Sequence, residues 1–339
     1  VAEGGVAAPG GRNVAYHYDS DYRLTAEIIS GDSSQNGTIS YTYDPGGNQT
    51  QRNSTVPAIP ATGTLTYDAN DRSSTDPYDA NGNLLNSGTG TNTWDFDNRL
   101  IQDGSVNIVY DGDGNRVSET VAGVTTAYLV DTQNPTGYAQ VIDELVNGSV
   151  TRTYAFGLQR ISQNQLISGV WTPGFYGYDA HGSVRFLTSA ASTVTDTYRY
   201  DAFGNLIAST GSTPNNYRFS GEPFDPALGM YQMRARWYRQ ATGRFVSRDP
   251  IEGVLCCGLS WNPYTYVREN PVNTADPTGK ALLEDIYMYA VRMRTTAAAL
   301  WELERTERIV LKIAECVEIW IATGMDPESA WSVCLGTYL

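Results

Sequence analysis

A two-residue step, Tyr-Asp, returns through the first two hundred residues of this 339-residue chain and restricts its fold more than any other feature. It occurs at Tyr18-Asp19, Tyr43-Asp44, Tyr67-Asp68, Tyr78-Asp79, Tyr110-Asp111, Tyr178-Asp179 and Tyr200-Asp201, and Trp94-Asp95 substitutes another aromatic. Two kinds of unit follow the step. One reads Asp-x-x-Gly-Asn, starting at Asp44, Asp79, Asp111 and Asp201, with Asp179-Ala-His-Gly-Ser as a variant. The other reads Asp-x-Asp/Asn-x-Arg, starting at Asp19, Asp68 and Asp95, and the two kinds alternate strictly up to Asn115.

The chemistry of these units predicts a strand, a tight turn and a strand. An Asp carboxylate accepts from backbone N–H groups two residues on, and Gly-Asn permits the left-handed conformation that reverses the chain. Alternation such as Ile39, Tyr41, Tyr43 or Tyr198, Tyr200 puts aromatics on one face. One hairpin cannot bury that face alone, so the units must stack into an extended sheet. Between residues 123 and 175 the step lapses but apolar positions persist, from Tyr128 and Val130 to Tyr154, Phe156 and Ile167, which reads as continued strands with divergent turns. The fold class expected is mainly β, a spiral of hairpins with a plug-like region after it and an α-helical tail.

The balance of charged groups narrows function. A formal net charge of −14 argues against nucleic acid as a partner, because neutralising phosphates needs a basic footprint. No charged leader with an apolar core and no run of 18 apolar residues is visible, so neither a signal peptide nor a membrane span is expected. The chain reads as a piece of something longer, secreted or on a cell surface. Asp111-Gly-Asp-Gly-Asn is like a calcium loop but lacks the later bidentate Glu, and no Cys/His cluster has zinc spacing. With only His17 and His181 present, a histidine metal site or a Ser-His catalytic pair finds poor support, and neither metal nor cofactor is expected.

After residue 200 the sequence becomes individual. YRYDAFGNLIASTG, YRFSGEPFDPALGMYQMRARWYRQATGRFVSRDPIEG and NPYTYVRENPVNTADPTGK, together with the repeats, closely resemble the core and associated C-terminal region of Rhs/YD-repeat proteins. The resemblance covers residues 16 to about 280 and implies a β-strand wall spiralling into a hollow shell, closed at one end by the region from Tyr200 to Gly279. It further implies a shell that encloses a variable C-terminal polypeptide, often a toxin, and releases it by self-cleavage. Three parts are expected: a repeat wall over residues 1–199, a plug over 200–280, and a helical tail over 281–339.

The resemblance also assigns chemistry. Arg248-Asp249-Pro250 and Asp276-Pro277-Thr278-Gly279 match the family's two aspartate motifs. Two carboxylates held close cannot both ionise, so one keeps a proton as acid while the other activates water, and Arg248 is positioned by sequence to hold one of them charged. Asp-Pro also starts ordinary turns, as Asp225-Pro226 shows. The family cuts beside a Leu where this chain has Lys280, so the expected cleavage region is Gly279, Lys280 and Ala281, with weak or absent cutting.

Beyond it, Ile286, Ala290, Met293, Ala297 and Leu300, then Val310, Ile313, Val317 and Trp320, recur at helical steps. Cys316 and Cys334 are candidates to staple a helical pair, and Cys256 with Cys257 to form a vicinal bridge or stay reduced. The tail has no His, no phosphate loop and no paired nucleophile and base. The favoured reading is therefore a secreted or surface scaffold whose tail mediates assembly, its partners being its own C-terminal segment, further copies, or the rest of a longer repeat chain. The alternative is a toxin-delivery shell that cuts itself near Gly279 and Lys280.

Overall fold

The computed structural model describes residues 12–32, 34–253 and 258–280. The helical-tail expectation, Ala281 and the cysteines Cys256, Cys257, Cys316 and Cys334 all lie outside them. The sheets belong to one compact unit that runs to Gly253 and resumes over Leu259–Lys280; the second unit, residues 254–258 and 281–339, is outside the described residues apart from Gly258.

The described chain is mainly β, in three antiparallel sheets whose neighbouring strands are consecutive in sequence. The first sheet holds β1 (Asn13–Tyr18), β2 (Leu24–Ser30), β3 (Gly37–Tyr43) and β4 (Gln49–Ser54). The second is a meander of twelve strands, from β5 (Asn92–Trp94) to β16 (Leu206–Thr210). The third is small: β17 (Phe224–Asp225), β18 (Met230–Met233), β19 (Arg236–Arg239) and β20 (Arg244–Phe245). Between the first two sheets the chain makes only isolated bridges, among them Tyr67 with Ser73 and Tyr78 with Leu84, so two repeat units keep their turns without long strands.

Each repeat Asp works as the chemistry predicts, and in both unit types. Asp19 Oδ1 accepts from the N–H groups of Asp21 (3.0 Å) and Arg23 (2.9 Å), while Oδ2 takes the Arg23 guanidinium at 2.7 Å. In the other type, Asp44 Oδ1 accepts from Asn48 N–H and Oδ2 from the Asn48 side-chain amide, both at 2.9 Å. The third residue after each Asp has a left-handed backbone. That residue is Gly47, Gly82, Gly114, Gly182 or Gly204 in one type and Tyr22, Asp71 or Asn98 in the other. Non-glycine residues are costly there, and the Arg-to-Asp ion pair of the second type offsets that cost.

One regularity goes beyond the sequence reading. The strand register shifts at the aromatic before the turn at Tyr18, Tyr43, Trp94, Tyr110, Tyr178 and Tyr200, so each of these steps is a β-bulge. A bulge increases the local twist and bends its strand, which a flat hairpin stack would lack. Where the step lapses, strands continue as expected and turn through two-residue loops with positive φ at both positions, Ala122-Gly123, Asn147-Gly148 and Ser168-Gly169.

The segment after residue 200 supplies much of the core. Phe203 and Ile207 pack with Val14, Leu24, Ile29, Ile39 and Tyr41 of the first sheet. Leu228, Met230, Trp237 and Val246 pack with Leu84, Leu100, Val106 and Ile108. Tyr238, Tyr264 and Tyr266 are fully buried, each burial stabilising by roughly 1.5–3 kcal/mol on the scale of large side chains. The third sheet and the loop that follows it are thereby fixed from two sides.

Candidate active site

The two sequence-predicted aspartates meet on a residue the sequence reading missed. Arg236 opens β19 and is 4% exposed. Its Nη2 lies 2.6 Å from Asp249 Oδ2 and 3.3 Å from Asp276 Oδ2, so one guanidinium nitrogen joins both carboxylates. Nη1 donates to the Pro263 carbonyl at 3.1 Å, Nε donates to the Gly279 carbonyl, and the guanidinium lies 3.6 Å from the centroid of the Phe245 ring.

The ion pair that Asp249 makes in the structure is with Arg236, where the sequence suggested Arg248. Arg248 is exposed and its aliphatic stem runs beside Gly82, where an added Cβ would come within 2.6 Å of it. A signal for Arg236 was present: an arginine inside the apolar run Tyr231, Met233, Trp237, Tyr238 needs a carboxylate partner if the run is buried.

The chain from Asp276 to Lys280 is laid into this site. Asp276 Oδ1 accepts from Thr278 N–H (3.2 Å), Thr278 Oγ1 (3.1 Å) and Lys280 N–H (3.3 Å). Ala235 N–H donates to the Thr278 carbonyl at 3.2 Å, and Arg234, paired with Glu222 at 2.7 Å, donates to the Pro277 carbonyl. Gly279 has φ +67°, and a Cβ on it would stand 1.9 Å from the Met233 carbonyl oxygen, so only glycine fits. The peptide between Gly279 and Lys280 is thus presented with its carbonyl oxygen on Arg236 and its amide nitrogen facing Asp276. The Lys280 side chain is exposed, so no desolvation of its ammonium opposes this pose.

Burial dominates the electrostatics. It raises the Asp249 carboxyl to about 6, with Arg236 opposing and the Asp276 charge adding to the rise. Asp276 is also raised, chiefly by burial, against Arg236 and the Thr278 hydrogen bonds. The pair therefore keeps a proton well above the ordinary carboxylate range, the state that acid–base hydrolysis of an amide requires. Because the folded chain binds the Asp249 proton more tightly than the unfolded one, that group's contribution to stability is complete below its ordinary value of 3.8 and is lost as pH rises through about 6. Cutting that needs one carboxyl ionised and the other protonated is expected to rise as Asp249 loses its proton through about 6 and to fall only where Asp276 gives up its own; fragment formation followed between about pH 5 and pH 8 checks the rise.

Among the described residues no group of three or more His, Cys, Asp or Glu is arranged to hold a metal ion. None of the described helices is long and apolar enough to cross a membrane.

A wall of consecutive hairpins, packed around a small sheet that buries an arginine-bridged aspartate pair, defines a class of β-repeat protein with a built-in carboxylate site. Toxins and a toxin complex are among the proteins it resembles. The chain is 32% identical over 268 residues to the tRNA nuclease WapA of Bacillus subtilis (strain 168), covering 72% of this chain and 11% of that protein. Over 62 residues, 18% of this chain and 4% of the relative, it is 40% identical to toxin protein Tse5 of Pseudomonas aeruginosa. Among solved structures, the TcdB2-TccC3 complex superposes with a TM-score of 0.61 at 21% identity, over 78% of this chain and 16% of that one. That likeness establishes a shared fold, and the set supports the resemblance to Rhs proteins. This chain spans about a ninth of the length of WapA. No family model matches it.

Proposed function

We propose that this chain is the closing part of an Rhs-type toxin-delivery shell, with residues 1–199 as wall and 200–280 as plug, and that it cuts itself between Gly279 and Lys280. The observation that carries the reading is the peptide itself, its carbonyl on Arg236 and its nitrogen on Asp276. Arg236 stabilises the oxygen as it becomes an oxyanion. Asp249 takes the proton of an attacking water, and Asp276, protonated, gives its proton to the departing Lys280 nitrogen. The released segment is residues 280–339, and the same fold accounts for a secreted or surface location and for partners that are the chain's own C-terminal segment and the rest of a longer repeat wall.

This reverses the preference drawn from sequence. The scaffold reading leaned on a tail without recognisable chemistry, which lies outside the described residues; the expectation of weak cutting leaned on Lys280 in place of Leu, and the Lys280 side chain stands in solvent. Intact mass measurement of freshly purified, non-reduced chain is the test. A stoichiometric fragment starting at Lys280 supports cleavage, and a chain that stays whole at every pH in the range above supports the permanently attached scaffold.

A further inference from the structure

The repeat unit at Asp179 departs from its siblings at two positions, and both departures reach the plug. Where the others carry Gly46, Asn81, Asp113 or Phe203 as the second residue after Asp, this unit has His181; where they end in Asn, it ends in Ser183. The turn itself is ordinary: Asp179 Oδ1 accepts from His181 N–H (3.0 Å) and Ser183 N–H (2.9 Å). The side chains are therefore free to do something the other units do not. Ser183 Oγ accepts from the backbone N–H of Ser220 at 3.0 Å, and Ser220 is held in the left-handed region at φ +52°.

His181 then ties two segments together. Its Nε2 lies 3.0 Å from the Thr274 carbonyl, its Nδ1 lies 3.2 Å from Ser220 Oγ, and its ring stacks on buried Phe219 at 5.4 Å. A carbonyl oxygen only accepts, so Nε2 carries the proton and Nδ1 receives the Ser220 hydroxyl. Ser220 Oγ is 3.3 Å from the Tyr266 hydroxyl. The bonds run in one sense, from the Tyr266 hydroxyl through Ser220 and His181 to the Thr274 carbonyl, two residues before Asp276.

A serine bonded to a histidine invites reading as a nucleophile, and the surroundings decide against it. The Ser220 N–H is committed to Ser183 and the Gly221 N–H to the Arg218 carbonyl, so the backbone donors that would hold an oxyanion beside Oγ are spent. The chain of bonds fastens the backbone at Thr274, two residues before the Asp276 carboxyl.

We infer that His181, with Ser220 and Tyr266, is a positioning group for Asp276, by which the Asp179 hairpin sets the geometry of the cleavage site. This assignment rests on the self-cleavage reading. A carboxyl displaced by an ångström from the Lys280 nitrogen loses most of its advantage, so His181→Ala is expected to slow fragment formation on the order of tenfold to a hundredfold. His181→Gln, whose amide N–H can still donate to the Thr274 carbonyl, is expected to restore most of the rate at an unchanged melting temperature.

The experiment follows fragment formation by intact mass in wild type, His181→Ala and His181→Gln, with 15N spectra of the imidazoles, of which the chain has only two. Slow Ala, rescued Gln and an Nε2–H tautomer at His181 support the assignment. Wild-type rates in His181→Ala overturn it while leaving self-cleavage intact. If His181→Ala does not fold, a slow but folded His181→Gln overturns it. An uncut wild-type chain overturns the cleavage reading and this one with it, whatever tautomer the spectra show.

Discussion

Asp276→Asn leaves the chain whole, slowing the cut by about 10³-fold, while folding is unaffected or slightly improved. The substitution keeps the shape and the acceptor that holds Thr278 and the Lys280 N–H. It removes the carboxyl that faces the Lys280 nitrogen, where the Thr278 hydroxyl at 3.1 Å is far too weak an acid to replace it. A carboxyl that burial holds protonated is replaced by a neutral amide, and Arg236 keeps Asp249 at 2.6 Å, so no large loss of stability is expected. Gel or mass analysis of material produced side by side with wild type reads the outcome. A variant cut to the wild-type extent would remove Asp276 from the chemistry and leave the aspartate motif as a turn.

The second large effect concerns stability. Arg236→Ala takes the shared partner from two buried carboxylates at once and strips a donor from the Pro263 and Gly279 carbonyls. Breaking a buried ion pair from one side costs about 3–5 kcal/mol, because the remaining charge is left without compensation. The pH dependence has a definite sign. Without the guanidinium both carboxyls are raised further, so they are neutral in acid and the loss shrinks there; it is largest near neutrality, where the charges must form or the site must open. Denaturation midpoints for wild type and variant at pH 5 and about pH 7.5 test both size and sign. Arg236→Lys is expected to recover only part of the loss, since a single ammonium cannot reach two carboxylates and two carbonyls as the planar fork does. A loss below about 1 kcal/mol near neutrality would mean the pair is solvated.

The repeat turns were legible because their physics is local. Asp at the first position, Gly or a third polar residue, and Asn or Arg at the fifth satisfy one another within five residues, so no distant part of the chain is needed to recognise them. The bulge at each aromatic is less legible. It is a relation between two strands, and a single strand carries no mark of which partner residue it will skip. The segment after β4 shows the same limit: its Tyr67 and Tyr78 units have the full sequence pattern, yet form single bridges because the chain there passes from one sheet to the next.

The site divides in the same way. Asp249 and Asp276 could be chosen from sequence because their motifs are distinctive, whereas proximity in sequence pointed to Arg248, which is exposed. Arg236 joins them across forty residues of chain, and His181 arrives from a different sheet altogether. By itself, then, the sequence determined the hairpin turns, the mainly β class and the two carboxyls, since each depends on short-range hydrogen bonding or on a compact motif. Only the tertiary structure decided which arginine binds the pair, which peptide bond it faces and which histidine braces it, because burial and charge compensation are properties of the packed chain.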